Sequence, residues 1–183
     1  MVKEGQHPRA LFIGCSDSRV MPNLMTSSKP GDLFIYRNIG NFVPPYDSKN
    51  QTDGTGACIE YAVNILKVKE IIVCGHSSCG YCAAINSTVD EKVNPYLKNW
   101  VDRSAKTKKI VDDIVKSNDN VNAQELTEKV SVVQQLENLL TYKIVKDKVE
   151  KEEIYIHGWH MKLETGEIHY YDSSIGKFKE LVE

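Results

Sequence analysis

A chain of 183 residues, 41% apolar and 26% charged, has the length of one domain and the composition of an ordinary globule. Its formal net charge of −2 supplies no field to draw in nucleic acid or an anionic membrane surface. No apolar stretch approaches the roughly 18 residues of a membrane span, and "MVKEGQHPRA" lacks a secretory h-region, so the reading is a cytoplasmic protein with neither membrane nor nucleic-acid partners. Five cysteines in a chain of this size point to reduced thiols, packed or metal-binding, rather than to a disulfide framework.

In chain order, "ALFIG" (10–14), "DLFIY" (32–36), "EIIVC" (70–74) and "EIYIH" (153–157) have the length and the branched or aromatic content of buried strands. Between the second and third, "TGACIEYAVNILKV" repeats Cys58, Tyr61, Ala62, Ile65 and Leu66 at helical spacing. Further amphipathic helices are expected around "KTKKIVDDIVKS" and from about Glu128 to Val145, and "LETGEIHYY" reads as a hairpin turning at Thr165-Gly166. "NFVPPYDSKNQTDGTG" is a long loop inside the domain. The alternation predicts an α/β fold: one domain over 1–183, with a mainly parallel sheet flanked by helices and a C-terminal antiparallel hairpin.

In open parallel sheets ligands gather beyond the carboxyl ends of the strands. Two strands end in reactive residues, "ALFIG" running into "CSDSR" and "EIIVC" into "GHSSCG". If they are neighbours, Cys15, His76 and Cys79 meet as two thiolates and one imidazole, a zinc donor set that leaves one tetrahedral position open, as catalytic zinc sites do. His76 and Cys79, at i and i+3, are expected on one side of a first helical turn. An extended backbone past the strand would point Cys15, Asp17 and Arg19 the same way, with Arg19 gripping Asp17 beside the metal.

Other readings compete. "CGYC" (79–82) is a thiol-disulfide exchange pattern, but it leaves His76, Cys15, Asp17 and Arg19 without a task. A non-catalytic zinc staple would need four protein ligands. Cys58 and Cys74 read as packing, and His157 and His160 as satisfied structural histidines on opposite faces of a strand. Arg37 reads equally as a structural residue pairing with backbone or carboxylate across subunits.

"CSDSRV", "RNIGN", "GTGACIEYAV" and "GHSSCG", in that order, resemble the blocks of the β-class carbonic anhydrases, and the similarity runs from about Gly5 to "HGW" at 157–159. The resemblance implies reversible hydration of CO2 to bicarbonate and a proton, with one Zn2+ per chain on Cys15, His76 and Cys79 and an Asp17–Arg19 dyad. It implies a substrate site of Gln6, Phe34, Ile39, Tyr61 and Gly80, as in the plant-like branch. It also implies a homodimer, which pairs into a tetramer in some relatives, with the residues matching Phe34 and Tyr61 reaching the zinc from the neighbouring chain. Relatives with the same zinc site hydrolyse carbon disulfide or carbonyl sulfide, the alternative activity. Two departures stand out: the N-terminal helical arm is absent or was removed, and Phe12 and Met161 replace the aromatic pair of the second anion site found in bicarbonate-inhibited members, leaving only Arg37.

Overall fold

Six strands form one sheet in the order β2-β1-β3-β4-β5-β6. They are β1 (Ala10–Cys15), β2 (Leu33–Asn38), β3 (Glu70–His76), β4 (Tyr155–Met161), β5 (Ile168–Asp172) and β6 (Lys177–Glu180), in a computed structural model that describes residues 5–47, 49 and 51–182. The first four are mutually parallel and the last two antiparallel, so the expected mainly parallel α/β sheet with a C-terminal hairpin is the observed architecture. Gly166, at φ 80, makes the hairpin turn where Thr165-Gly166 predicted it. The edge strand β6 was not foreseen, because "KFKE" carries three charges in four residues; such charges suit an edge strand that must not recruit another chain.

The helices are α1 (Pro22–Met25), α2 (Gly54–Glu60), α3 (Gly80–Ile85), α4 (Pro95–Asp102), α5 (Ala105–Ser117), α6 (Ala123–Leu139) and α7 (Lys143–Glu150). A π-helical turn, Tyr61–Ile65, continues α2, with Leu66 N–H reaching the Tyr61 carbonyl at 3.0 Å. The single helix expected from about Glu128 to Val145 is instead two. Tyr142 breaks it: the residue turns extended (φ −77, ψ 110), and its buried phenol donates to the Pro44 carbonyl at 3.0 Å. A helix break anchored by long-range hydrogen bonds, this one and Tyr46 N–H to the Thr141 hydroxyl at 2.7 Å, leaves no glycine or proline for the sequence to show.

β1 and β3 are adjacent interior strands of the sheet and are almost wholly buried. Leu11, Ile13, Ile71 and Val73 pack on one face against Ile59, Ala62, Val63, Leu139 and Val145, while Phe12, Ile72 and Cys74 face the other way. Helix α6 can approach β3 and β4 closely because Gly75 and Gly158 lack side chains. A Cβ on Gly75 would sit 2.7 Å from Val132 Cγ2, and one on Gly158 would lie 2.9 Å from Val132 and Leu136. Helix α6 also secures the long loop, with the Gln135 side chain accepting from Val43 N–H at 3.0 Å and Asn138 donating to the Val43 carbonyl at 2.8 Å. Among the described residues no helix is long and apolar enough to cross a membrane.

Candidate active site

Cys15 ends β1, His76 ends the adjacent β3, and Cys79 caps the N-terminus of α3. Their ligand atoms all lie within 4.8 Å of one another, and all three residues are buried. This is the meeting of strand ends that the sequence suggested, with one local correction. His76 and Cys79 do not share a helical turn; His76 is still in the strand, and the chain reverses through Ser77 and Ser78. Ser78 takes a left-handed φ of 56, a region disfavoured for residues other than glycine. Ser77 is held by its N–H to the Met161 carbonyl at 2.8 Å, and its hydroxyl accepts from Leu163 N–H at 2.8 Å and donates to Glu164 at 2.8 Å.

His76 is fully buried, and its Nδ1 faces the Ser77 carbonyl at 2.8 Å while Nε2 has no hydrogen-bond partner. A buried imidazole nitrogen with an unused lone pair, beside two buried thiols, fits a zinc ion by chemistry and number of donors. The group has three members among the described residues, not the four a purely structural staple requires. Without a cation the thiols hold their protons. Cys15 is pushed up to about 12 by its hydrogen bond with Cys79 and then by burial. Cys79 also rises to about 12: the bond to Cys15 acts downward, but the contact with Cys82 and burial outweigh it. A divalent ion held by these residues would reverse that balance, favouring both sulfurs as thiolates with their protons lost to solvent.

Asp17 and Arg19 form the expected pair, but on a turn rather than an extended strand. Val20 N–H bonds to the Asp17 carbonyl at 3.0 Å, and the Asp17 carboxylate accepts from Arg19 N–H at 3.0 Å, Nε at 2.9 Å and Nη2 at 2.7 Å. The side-chain and then the main-chain hydrogen bonds from Arg19 hold the Asp17 carboxyl far below the usual range, so it stays ionised. Asp17 Oδ2 lies 4.0 Å from His76 Nε2.

Arg37 pairs with backbone as expected, but within its own chain rather than across subunits. It donates through Nε to the Cys15 carbonyl at 2.8 Å and through Nη2 to the Asp17 carbonyl at 2.6 Å, bracing the loop that carries both residues. Phe12 and Met161 lie in one apolar cluster. His157 and His160 do face opposite sides of β4, each with its own acid: Glu70 at 2.8 Å and Glu128 at 2.9 Å. Cys74 is buried packing, and Cys58 packs at the edge of the core.

The residues expected at a substrate site are not all beside the Cys15, His76 and Cys79 group. Gly80 follows Cys79 at the start of α3, with open space where a Cβ would project. Ile39 follows Asn38, the strand partner of Cys15, and is 46% exposed. Phe34 stacks on Tyr61 with ring centroids 5.7 Å apart, but it pairs with Leu11, roughly 13 Å back along the strand from the level of Cys15. Gln6 lies exposed before β1. Sequence reasoning missed Glu128 and Gln124, which contact Cys79 from α6. The available signal was a charged residue four positions before Val132, on the buried side of an amphipathic helix.

The carbonic anhydrase family model matches residues 10–168. A carbonic anhydrase of Helicobacter pylori (strain J99) is 38% identical over 186 residues, covering 100% of this chain and 84% of that protein. The solved structure of the β-carbonic anhydrase CcaA superposes with a TM-score of 0.88 at 37% identity, covering 98% of this chain and 87% of that one. A tetrameric β-carbonic anhydrase of Sordaria macrospora superposes at 0.77 with 29% identity, covering 98% and 83%. A family match over most of the sequence, and this agreement in fold with a β-class enzyme, show that the chain belongs to the carbonic anhydrases, in their β class.

Proposed function

We propose that the protein catalyses the zinc-dependent, reversible hydration of CO2 to bicarbonate and a proton. The observation that carries this reading is the convergence of Cys15, His76 and Cys79 with an orphaned His76 Nε2, beside an Asp17 that Arg19 keeps ionised. Cys15, His76 and Cys79 would hold one zinc ion per chain. When bound, zinc acts there as a Lewis acid that makes water nucleophilic near neutral pH.

The chain's own residues do the rest. Asp17 accepts a hydrogen bond from the attacking water and orients it. Arg19 occupies both Asp17 oxygens and so holds the carboxylate back from the ligand cluster. The Gln6 amide, which lies before the start of β1 and so at the far end of that strand from its own Cys15, would offer its hydrogen bond to a CO2 oxygen at the ligands of a second copy, and Phe34, Ile39, Tyr61 and Gly80 supply a pocket whose apolar walls suit CO2.

This pocket is proposed to close across a homodimer. Phe34 and the Tyr61 stacked on it are remote from their own Cys15, and Ile39 and Tyr61 are 46% and 45% exposed on the side of the edge strand β2, so a second copy would cover this surface and receive Phe34 and Tyr61 at its own ligands. Further pairing to a tetramer is part of the proposal, as is a cytoplasmic setting, which the five unbridged cysteines support. The test is stopped-flow CO2 hydration on protein of measured zinc content, across a dilution series followed by sedimentation. Activity is expected to scale with zinc and to fall when the dimer dissociates. Zinc-replete protein that does not hydrate CO2 overturns the reading, and a fully active monomer overturns the shared pocket.

A further inference from the structure

Glu128 is a buried carboxylate, 3% exposed, on the face of α6 that rests on the sheet. Carboxylates are almost never buried to this extent unless their oxygens are fully engaged. Here Oε1 accepts from the main-chain N–H of Cys79 at 3.2 Å and from Gln124 Nε2 at 2.7 Å, while Oε2 meets His160 Nε2 at 2.9 Å. Gln124 Nε2 also donates to the Cys79 carbonyl at 3.0 Å. Two side chains one helical turn apart therefore hold Cys79 by both its N–H and its C=O, and His160, 2% exposed, supports the carboxylate from β4.

Cys79 is a residue that needs such a hold. It follows Ser78, whose left-handed φ of 56 is unfavourable for a residue with a Cβ, and it begins a helix of only six residues. Its side chain makes no capping hydrogen bond. Left to itself the turn could relax, and the sulfur would swing relative to Cys15 and His76. The other end of the turn is fixed through Ser77 from the β4–β5 hairpin, so α6 provides the second anchor.

We infer that Glu128 is a positioning residue that orients the Cys79 sulfur for the metal, with Gln124 and His160 as its supports. This rests on the reading that Cys15, His76 and Cys79 bind zinc. Groups that orient metal ligands in this way typically cost about 10- to 100-fold in metal affinity when changed. The alternative is that Glu128 serves only to pair with His160 and dock α6, which would affect stability alone.

The two roles separate in Glu128→Gln, which keeps the shape but removes the charge. Zinc affinity is measured by chelator competition, and the cobalt-substituted protein gives a thiolate-to-cobalt absorption that reports on how the sulfurs are held. Glu137→Gln, an exposed change on the same helix, is the control. For Glu128→Gln we expect zinc binding about 10- to 100-fold weaker, with a shifted cobalt band, and for the control neither change. A folded Glu128→Gln with wild-type affinity and an unshifted band overturns the inference. If that variant does not fold, Gln124→Ala, which removes the side-chain donor to the Cys79 carbonyl and to Glu128 and leaves only the helical Ala83 N–H bond on that carbonyl, must still weaken zinc and shift the band; wild-type values for it also overturn the inference. Failure of the underlying zinc reading is recognised separately, because wild-type protein would then bind no stoichiometric zinc.

Discussion

Asp17 Oδ2 stops 4.0 Å from His76 Nε2 while the Arg19 guanidinium holds it at 2.7 Å. That bidentate grip restrains a carboxylate which would otherwise be free to approach a metal ion on the three ligands. Arg19→Ala is therefore expected to keep its zinc and lose about 10- to 100-fold in kcat, read by stopped-flow hydration and metal analysis. An unchanged kcat would remove the dyad from the mechanism.

The same pair sets an acid limit. The folded pKa of Asp17 is depressed below its unfolded value of about 3.9, so the pair's contribution to stability is fully present above that value. It is lost as pH falls through the folded pKa. The melting-temperature gap between wild type and Asp17→Asn is expected to stay constant from neutral pH to about 5 and to narrow in stronger acid. A gap that closes near pH 6 would show that Asp17 titrates much higher than its contacts imply.

Cys79 and Cys82 sit side by side at the start of α3, yet only Cys79 belongs to the ligand group; Cys82 packs with Phe42, Tyr81 and Ile85. Cys79→Ser is expected to abolish stoichiometric zinc and activity together. Cys82→Ser should retain zinc, with a modest loss of stability. The reverse pattern would overturn the ligand set.

Gly75→Ala places a methyl 2.7 Å from Val132 Cγ2. Overpacking of this kind costs about 1–3 kcal/mol. A lower melting temperature is expected, partly restored by adding Val132→Ala. Equal melting temperatures for wild type and Gly75→Ala would mean that α6 does not lean on the sheet at this point.

The sequence made the Cys15, His76 and Cys79 cluster legible because chemistry and topology coincide there: two strand runs end in reactive residues, and a parallel sheet places neighbouring strand ends together. Asp17 and Arg19 were legible as a pair even though their backbone is a turn, because a long guanidinium finds a carboxylate two residues away in either geometry. The face of α6 was harder to read. Val133 and Leu136 are among its apolar residues at helical spacing but are only partly buried, whereas Glu128, Ser131 and Gln135 are buried. Polar side chains there are satisfied by loop backbone and by Cys79, partners that only the tertiary fold supplies. The break at Tyr142 and the left-handed Ser78 were hidden for the same reason.

Cys15 and His76 lie on neighbouring strands, but the whole of β2, α2 and the π turn intervenes along the chain. Their proximity therefore forms only after a long crossover has closed, an entropically late event in folding. An ion bound by these residues would then act as a latch on a finished structure rather than as a seed for it. Saturating zinc should slow unfolding while leaving the refolding rate nearly unchanged, so the metal would govern how long the native state lasts more than how quickly it is reached.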